Sequence, residues 1–411
     1  MKPETAAALS LLSASAVRER AHRMLELGLA ARLSTFRVDL SRLDQTADLV
    51  VETTRRAYPT LEVPLHARWR HFEIAGEDRW AAIDASTPWR DPAQRARAAF
   101  DLATVSVLLD AGAGAQWSYS DPKTGTRIGR SEGLALASLA MFAAGAFSSD
   151  PKSPLRVDAE ALGSLSSDTF AGYFQVSPAN PLIGLEGRVA LLRRLGATLA
   201  AKPEIFRCGD CVRPGGLVDQ LARRAHQGAI AAPAVLIEVL HHLGPVWPSR
   251  LALGGIPLGD CWRHPAITSN EATSELVPLH KLSQWLTYSL VEPLQAFGIA
   301  ATDLDGLTGL AEYRNGGLFI DTGVLALRDS AEQRRAHDVG SASIVEWRAL
   351  TVALLDRLAE SVRRKLNVDA AAYPLAKVLQ GGTWAAGRWL ARQRRADGSP
   401  PIQVVSDGSV F

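Results

Sequence analysis

The chain has 411 residues, 47% of them hydrophobic, which is enough to bury a sizeable core. Its 45 Lys and Arg balance 43 Asp and Glu to leave a formal charge of +2, which disfavours a nucleic-acid or acidic-membrane binder but leaves room for a local basic pocket. The first thirty residues are interrupted by charges, no apolar run approaches about 18 residues, and three cysteines suit a reducing compartment. We therefore expect a cytoplasmic protein that binds neither nucleic acid nor membrane.

Helical periodicity and punctuation predict helices through most of the chain. In chain order they cover 3–29, 44–57, 92–110, 131–147, 188–199, 216–230, 233–243, 279–297, 339–366 and 370–395. A further helical run starts near Asp303 and meets the sequence "NGG" just after Glu312. Strand signals are limited to "GLFID" at 317–321 and "IQVVS" at 402–406, so we predict a mainly α fold with few short strands.

The connections rich in proline and glycine lie near 148–157, 203–216 and 244–270, and none resembles a flexible linker. One interlocked helical body over 1–411 is as consistent with the sequence as separate domains are. The alternative is a subdivision into an N-terminal part, 1–150, and a C-terminal part, 151–411, that carries Lys281 and Glu312.

Asp110 follows an apolar helix in "LDAGAGAQWSY", where the helix dipole disfavours a carboxylate. That position invites a specific partner. Gly112 and Gly114 would let the backbone approach a ligand, and Trp117 and Tyr119 would stack on it. The alternative is a helix stop with ordinary aromatic packing.

In "LHKLSQWLTYSL", helical spacing places Lys281, Gln284 and Tyr288 on one face, flanked by leucines. A polar face with apolar flanks suits the wall of a pocket. A solvated helix face explains the same three residues.

Residues 66–80, "HARWRHFEIAGEDRW", cluster arginines with aromatic side chains. Arg68 and Arg70 are candidates for a phosphate site, because guanidinium groups bind phosphate oxygens in pairs. The alternative is an ion-pair network around Glu73 and Asp78 that fixes a loop.

"CGDC" at 208–211 has the Cys-x-x-Cys spacing of zinc and redox sites, but no second pair completes a set of ligands. The commonest nucleotide, hydrolase and metalloprotease motifs are missing as well. We therefore predict no metal and no cofactor.

"EYRNGGLFID", residues 312–321, concentrates charged and polar groups between two apolar runs. Glu312 is predicted at the end of a helix, projecting into a cleft near Arg314 or Lys281. A carboxylate held there has the properties of a group that stabilises an oxocarbenium ion or orients water. The alternative is a surface glutamate paired with Arg314.

The chain resembles the uracil catabolism protein family along nearly its whole length. The residues that carry the resemblance are "PLHARWRHFE", "SVLLDAGAGAQWSY", "RSEGLALASL", "NPLIGLEGR", "PLHKLSQWLTYSLVEPL", "GLAEYRNGGLFIDTGVL", "GGTWAAGR" and "PPIQVVSDGSVF". The resemblance implies a role in a uracil-degradation route that is neither reductive nor oxidative.

A weaker resemblance connects "LDAGAG", "KLSQ" and "GLAEYRNGG" to the queuosine salvage proteins, which hydrolyse an N-glycosidic bond and are similar to DNA glycosylases. It implies a DNA-glycosylase-like helical fold. It also implies site roles for Asp110, Lys281, Gln284, Glu312, Tyr313 and Arg314. Glu312 replaces an aspartate and Ala113 an asparagine, which implies a different and smaller substrate.

These resemblances lead to the hypothesis of an N-ribosyl hydrolase that releases urea from ribosylurea 5′-phosphate or ribosylurea. Glu312 would be the main catalytic carboxylate, and Asp110 would bind ribose hydroxyls or urea nitrogens in the same cleft. Phosphate and sugar would contact Lys281, Gln284, Arg314, Arg68, Arg70, Tyr313, Trp117 and Tyr288. The rival readings are an amidohydrolase acting on the ureido group and a non-catalytic pathway partner. The oligomeric state stays open.

Overall fold

The computed structural model describes residues 2–247 and 251–405. Helices dominate these residues. They are α1 Pro3–Leu11, α2 Ala14–Leu29, α3 Leu43–Ala57, α4 Arg79–Ser86, α5 Pro92–Leu108, α6 Arg130–Ala143, α7 Ala159–Ser164, α8 Ser167–Tyr173, α9 Leu185–Ala200, α10 Pro203–Phe206, α11 Gly216–Arg224, α12 Ala232–Leu243, α13 Lys281–Phe297, α14 Tyr313–Asp321, α15 Ala342–Leu366, α16 Leu375–Val378 and α17 Trp384–Arg394. The prediction of a mainly α fold is confirmed.

The strands are two or three residues long and form two-stranded ladders throughout the described part of the chain. They are β1 Phe36–Val38, β2 Glu73–Ile74, β3 Glu77–Asp78, β4 Ser118–Ser120, β5 Arg127–Gly129, β6 Arg207–Cys208, β7 Cys211–Val212, β8 Ala229–Ala231, β9 Ala252–Leu253, β10 Ile256–Pro257, β11 Cys261–Arg263, β12 Leu276–Pro278, β13 Ala300–Thr302, β14 Leu325–Leu327, β15 Ala336–Asp338 and β16 Gln403–Val405. The pairs β8 with β13 and β15 with β16 are parallel, and the other pairs are antiparallel.

The described residues form two compact units, each assembled from separate stretches of sequence. The first contains 2–66, 251–284 and 303–405, and the second contains 67–247 and 285–302. Helix α13 is divided between them after Gln284. The predictions of one interlocked body, of a subdivision at residue 150 and of a DNA-glycosylase-like fold stay predictions.

The first unit is built around α15, whose residues are buried along most of its length and which packs against α2 and α3. Helix α14 packs against both α15 and α17. Glycines permit these close approaches: a Cβ atom at Gly316 would lie 2.7 Å from Nε1 of Trp347, and one at Gly387 would collide with the carbonyl oxygen of Arg314. The backbone of α14 is therefore held firmly by its neighbours.

The second unit is organised around α5, which is buried continuously from Ala98 to Leu108 and packs against α6, α9 and α11. Its start is specified by sequence, because Asp91 accepts a hydrogen bond from the backbone N–H of Gln94 at 2.7 Å and Pro92 occupies the first helical position. Asp110 follows directly after the end of this buried helix.

Several predicted boundaries are wrong, each for a local reason. The run 3–29 is two helices, because Leu12 leaves the helical conformation and Ser13 caps α2. Helix α11 ends at Arg224, since Ala229–Ala231 pairs as a strand with Ala300–Thr302. The run 370–395 begins helically only at Leu375 and passes through a π-helical turn, Leu379–Thr383.

The stretch 317–321 is helical rather than a strand. We expected "NGG" to stop a helix, but Gly316 and Gly317 lie inside α14, where the packing of Trp347 leaves no space for a Cβ atom at Gly316 and that of Pro401 leaves little at Gly317. The predicted strand at 402–406 is confirmed for Gln403–Val405 as β16, and Ser406 lies outside the described residues.

Candidate functional site

Glu312 is the N-cap of α14, and not the end of a preceding helix as predicted. Its backbone is extended, with φ −119° and ψ 161°. Its Oε2 accepts a hydrogen bond from the backbone N–H of Arg314 at 2.7 Å, and its Oε1 accepts one from Asn315 at 2.6 Å. Both carboxylate oxygens are thereby fixed at the positive end of a helix dipole.

Glu312 is half-buried, and this setting perturbs its acidity. Burial raises the pKa of Glu312 above the usual glutamate value, although the N–H groups of Arg314 and Asn315 and the charges of Lys281 and Arg314 act in the opposite direction. A carboxylate with a raised pKa and a fixed orientation is suited to exchanging a proton with a bound water or substrate.

Lys281 and Gln284 start helix α13 in the same unit as Glu312. Lys281 is half-buried, and its backbone N–H donates to Oδ2 of Asp260 at 2.9 Å. Gln284 is completely buried; its Nε2 donates to Oγ1 of Thr308 at 2.6 Å, and its Oε1 accepts from the N–H of Thr308 at 2.8 Å. Gln284 therefore connects α13 to the segment that precedes Glu312, and its buried side chain supports the position of that segment.

Tyr313 and Arg314 follow Glu312 in the first turn of α14. The guanidinium of Arg314 lies 4.8 Å from the centre of the Tyr313 ring, which is a cation–π arrangement. Arg314 is buried, and its Nη1 donates to the carbonyl oxygen of Gly398 at 3.0 Å. Its side chain thus connects α14 to the chain beyond α17.

Asp110 lies in the second unit, where Arg68 is its ion-pair partner. Nη1 of Arg68 is 3.1 Å from Oδ1 of Asp110, and the Arg68 side chain is completely buried. Nε of Arg68 also donates to Oγ of Ser106 at 2.8 Å, and Nη1 donates to the carbonyl oxygen of Ser131 at 3.2 Å. Burial lowers the pKa of Arg68, while Asp110 and Glu132 oppose that shift. Arg68 therefore supports Asp110 from inside the protein, and the prediction that it binds phosphate finds no accessible guanidinium here.

Arg188 fixes the loop that contains Asp110. Its Nη2 donates to the carbonyl oxygens of Ala111 at 2.9 Å and Gly112 at 2.8 Å, and its Nη1 donates to that of Leu109. Burial lowers the pKa of Arg188 to about 10, and the nearby Asp110 opposes this. An arginine placed at the carbonyl groups that directly follow α5 also complements the dipole of that helix. The prediction that Asp110 requires a specific partner is confirmed by Arg68.

The other predicted ligands in this unit lie in packing contacts and ion pairs, and their substrate-binding roles stay predictions. Arg70 lies between Glu73 at 3.1 Å and Glu292 at 2.9 Å, as the loop-fixing alternative predicted. Trp117 is buried against Phe174 and donates its indole N–H to the Phe174 carbonyl oxygen at 2.9 Å. Tyr288 is completely buried. Helix α13 therefore does not present a solvated face at Gln284 and Tyr288, and that alternative is wrong.

Gly114 has φ +89°, and a Cβ atom there would lie 2.9 Å from Cγ1 of Ile183. The glycine is required by this close packing within the protein, whereas we expected the backbone to approach a ligand.

Cys208 and Cys211 face each other across a two-residue turn between β6 and β7. Both are free thiols, and burial raises the pKa of Cys208 to about 12 and that of Cys211 as well. Thiols with raised pKa values are poor nucleophiles and poor metal ligands at neutral pH. Across 2–247 and 251–405, no three or more His, Cys, Asp or Glu residues are grouped so as to hold a metal ion.

No helix in the described ranges is both long enough and apolar enough to cross a membrane.

Sequence reasoning missed three buried charged residues that shape these sites: Arg188, Asp260 and Arg348. Arg348 and Asp260 form a bidentate ion pair next to Lys281 and Glu312. The available signal was the charged pair Glu346 and Arg348 within the otherwise apolar run of α15, and Arg188 next to the apolar residues of α9. A buried charge requires a partner, but sequence periodicity does not identify that partner.

The two predicted catalytic carboxylates belong to different units, with Glu312 in the first and Asp110 in the second. The expectation that they share a cleft stays a prediction. Each carboxylate separately has an oriented, partly buried setting, which is the usual requirement for acid–base or electrostatic catalysis.

Comparison with known proteins assigns the chain to a family. Residues 10–411 match the family described as "Protein of unknown function (DUF1688)", and the chain belongs to it.

Two relatives have names that mention a gene or a pathway. The protein named "Protein urg3" of Schizosaccharomyces pombe is 38% identical over 428 residues, covering 100% of both chains. "Uracil catabolism protein 4" of Lachancea kluyveri is 39% identical over 408 residues, covering 92% of both. The match therefore extends along essentially the whole chain.

Proposed function

We propose that this protein acts in uracil catabolism as an N-ribosyl hydrolase, which cleaves the N-glycosidic bond of ribosylurea or its 5′-phosphate and releases urea. The pathway is supported by the name of the Lachancea kluyveri relative, which matches over nearly the full length. The reaction class is supported by the fixed orientation of the Glu312 carboxylate and by its raised pKa.

The observation that carries the proposal is the setting of Glu312. Its two oxygens are oriented by backbone N–H groups, burial raises its pKa, and the positive charge of Lys281 acts on it. Hydrolysis of an N-glycosidic bond develops positive charge at the anomeric carbon and consumes one water. A fixed carboxylate can stabilise that charge and accept a proton from the water.

In the proposed reaction, the bond between the anomeric carbon and the urea nitrogen breaks, and a bond between that carbon and the water oxygen forms. Glu312 takes up a proton from the attacking water, and this proton then passes through solvent to the departing urea nitrogen. Glu312 is thereby returned to its ionised form, and the net reaction adds one water across the glycosidic bond. Asp110, held between Arg68 and Arg188, is proposed to accept hydrogen bonds from ribose hydroxyls or urea N–H groups.

The substrate is either ribosylurea, which is uncharged, or its 5′-phosphate. Arg68 and Arg70 are neutralised by Asp110, Glu73 and Glu292, which speaks against these two arginines as phosphate ligands. Recognition of a 5′-phosphate would therefore depend on Lys281 and Arg314, whose charges act on Glu312.

The test is to incubate the purified protein separately with ribosylurea and with its 5′-phosphate, and to measure free urea and reducing sugar. Stoichiometric urea and sugar support the proposal, and the preferred substrate decides the phosphate question. Ammonia and carbon dioxide in place of urea would indicate the ureido-cleaving amidohydrolase. No product from either compound, with binding of one of them, would indicate the non-catalytic partner.

A further inference from the structure

We propose that the buried ion pair between Asp260 and Arg348 is a positioning unit, which fixes the start of α13 at Lys281 and the start of α14 at Glu312 relative to each other. The inference rests on the proposed function for its catalytic consequence. Its structural content concerns the first unit alone and can be measured without a substrate.

Asp260 organises the segment before α13 through both its backbone and its side chain. Its carbonyl oxygen accepts hydrogen bonds from the N–H groups of Leu279 at 2.9 Å and His280 at 3.1 Å. Its Oδ2 accepts the N–H of Lys281 at 2.9 Å, and its Oδ1 accepts Nε1 of Trp262 at 2.6 Å. Four donors thus converge on one residue that is nearly completely buried.

His280 shows that the chain before α13 is bent sharply. It has φ +47°, a left-handed conformation that is uncommon outside glycine and asparagine. Its Nε2 lies 2.9 Å from the carbonyl oxygen of Leu11. The bend directs the backbone N–H of Lys281 toward Asp260, and such a conformation persists only where the surrounding contacts determine it.

Arg348 connects the same carboxylate to the segment before Glu312. Its Nη1 and Nη2 bind Oδ1 and Oδ2 of Asp260 at 2.9 and 2.8 Å, and its Nε donates to the carbonyl oxygen of Ala311 at 3.3 Å. Ala311 directly precedes Glu312. One planar guanidinium therefore contacts the group that caps Lys281 and the residue adjacent to Glu312.

The ion pair itself is firmly held. Arg348 is 1% exposed, and the Asp260 side chain 7%. Burial alone would raise the pKa of Asp260, but Arg348, Trp262 and Lys281 lower it to about 2. The Asp260 carboxylate is therefore ionised at neutral pH.

The Asp321–Arg395 pair provides a matched control in the same unit. Nη1 and Nη2 of Arg395 bind Oδ1 and Oδ2 of Asp321 at 2.8 and 2.6 Å, again in bidentate fashion. Asp321 is the last residue of α14, at the opposite end from Glu312. Replacing this arginine disturbs the same helix without touching the segments that start at Lys281 and Glu312.

The experiment compares Arg348→Lys with Arg395→Lys by amide hydrogen exchange and by steady-state kinetics. Lysine keeps the charge but cannot bind Asp260 in bidentate fashion and reach Ala311 together. In Arg348→Lys we expect faster exchange at 279–284 and at 310–316 together. We expect kcat to fall by about tenfold or more with KM changed less than about threefold, because small displacements of catalytic groups act on the chemical step. Arg395→Lys should show neither effect.

The inference is overturned if Arg348→Lys leaves exchange at either segment unchanged, or if both variants alter exchange and kcat equally. Asp260→Asn serves as a second variant should Arg348→Lys fail to fold; it keeps the side-chain shape and must loosen the same two segments. If exchange rises as expected while the wild-type protein hydrolyses neither ribosylurea nor its phosphate, the proposed function fails and the positioning unit stands.

Discussion

Nη1 of Arg68 lies 3.1 Å from Oδ1 of Asp110, and the arginine side chain has no exposed surface. This relationship explains how a carboxylate can follow the C-terminus of α5, where the helix dipole opposes it: the guanidinium supplies a nearby positive charge, and Asp110 in turn compensates the buried arginine. The pair therefore compensates two buried or half-buried charges in the second unit and is part of a candidate site.

Asp110→Asn should destabilise the protein strongly, because it leaves the buried guanidinium of Arg68 without its counter-ion. We expect a loss of about 3 kcal/mol or more in the free energy of unfolding, the range measured when one partner of a buried ion pair is removed. The measurement is guanidinium chloride unfolding, since urea is the proposed product.

Asp84→Asn is the matched control in the same unit, because Asp84 pairs with a side chain that is 46% exposed, that of Arg95. Its expected cost is about 1 kcal/mol or less. Equal losses for the two variants would contradict the role assigned to the Arg68 pair.

Glu312→Gln should lower turnover by about a hundredfold or more while the protein stays folded, the scale of removing one charge-stabilising or acid–base group. The amide oxygen of glutamine can still accept one of the two backbone N–H groups. The free energy of unfolding should therefore change by only about 1 kcal/mol, the usual worth of an N-cap. Urea release at saturating substrate is the measurement.

Glu52→Gln is the control for that substitution, because Glu52 is an exposed partner of Arg56 on α3. It should leave turnover unchanged. A folded Glu312→Gln protein with wild-type turnover would remove Glu312 from the mechanism.

The pH dependence of turnover should reflect the raised pKa of Glu312. Since the ionised carboxylate is the active form in the proposed mechanism, kcat should fall as the pH drops through a value above the ordinary glutamate range. A pH–rate profile between pH 4 and 8 tests this (about four units span the relevant titration). An acid limb at or below the ordinary glutamate pKa would contradict the assignment.

The contribution of Glu312 to the free energy of unfolding should decrease as the pH rises, whereas turnover should increase. Because the folded-state pKa of Glu312 is raised, the folded protein binds this proton more tightly than the unfolded chain does. The contribution of Glu312 to stability is complete below the unfolded pKa and is lost as the pH rises through the folded pKa. Unfolding of wild type and Glu312→Gln over this range should reveal the difference, and parallel pH profiles would refute it.

Arg188→Lys should loosen the loop that carries Asp110, because a lysine cannot serve the carbonyl oxygens of Leu109, Ala111 and Gly112 together. Leaving buried carbonyl groups without donors should cost about 1–3 kcal/mol of stability. Turnover should also fall if Asp110 acts on the substrate.

Arg193→Lys provides the comparison on the same helix, since Nε of Arg193 donates to the carbonyl oxygen of Leu165 at 2.9 Å and does not bind the loop that carries Asp110. Its effects on stability and turnover should be small. Similar thermal unfolding of the two variants would show that Arg188 has no special structural role.

Chelators should leave turnover unchanged, since the proposed mechanism uses no metal. Cys208→Ser together with Cys211→Ser should retain activity for the same reason. The measurement is urea release before and after prolonged treatment with EDTA. A metal role for these cysteines would instead be established by two results together. EDTA would inactivate the protein and zinc would restore its activity, and the double variant would lack that zinc-dependent activity.

Sequence by itself determined the class of fold and most helices. Amphipathic periodicity and the prolines at the starts of α5 and α12 are local signals, so they predicted elements such as α5 and α13 well. The unusual position of Asp110 could also be recognised from the sequence, because a carboxylate after the C-terminus of an apolar helix is disfavoured by the helix dipole.

Tertiary structure decided what the charged residues do. Gly316 and Gly317 signalled a helix end locally, yet both lie within α14, and Glu312 is the N-cap of that helix. A Cβ atom at Gly316 would lie 2.7 Å from Nε1 of Trp347, and one at Gly317 would lie 3.1 Å from Cδ of Pro401, so tertiary packing favours glycine at both positions. The pairing of Asp260 with Arg348, 88 residues apart, was equally invisible from sequence. A buried charge requires a partner of opposite charge or a hydrogen-bonding group. Which residue becomes that partner depends on how distant segments of the chain pack together.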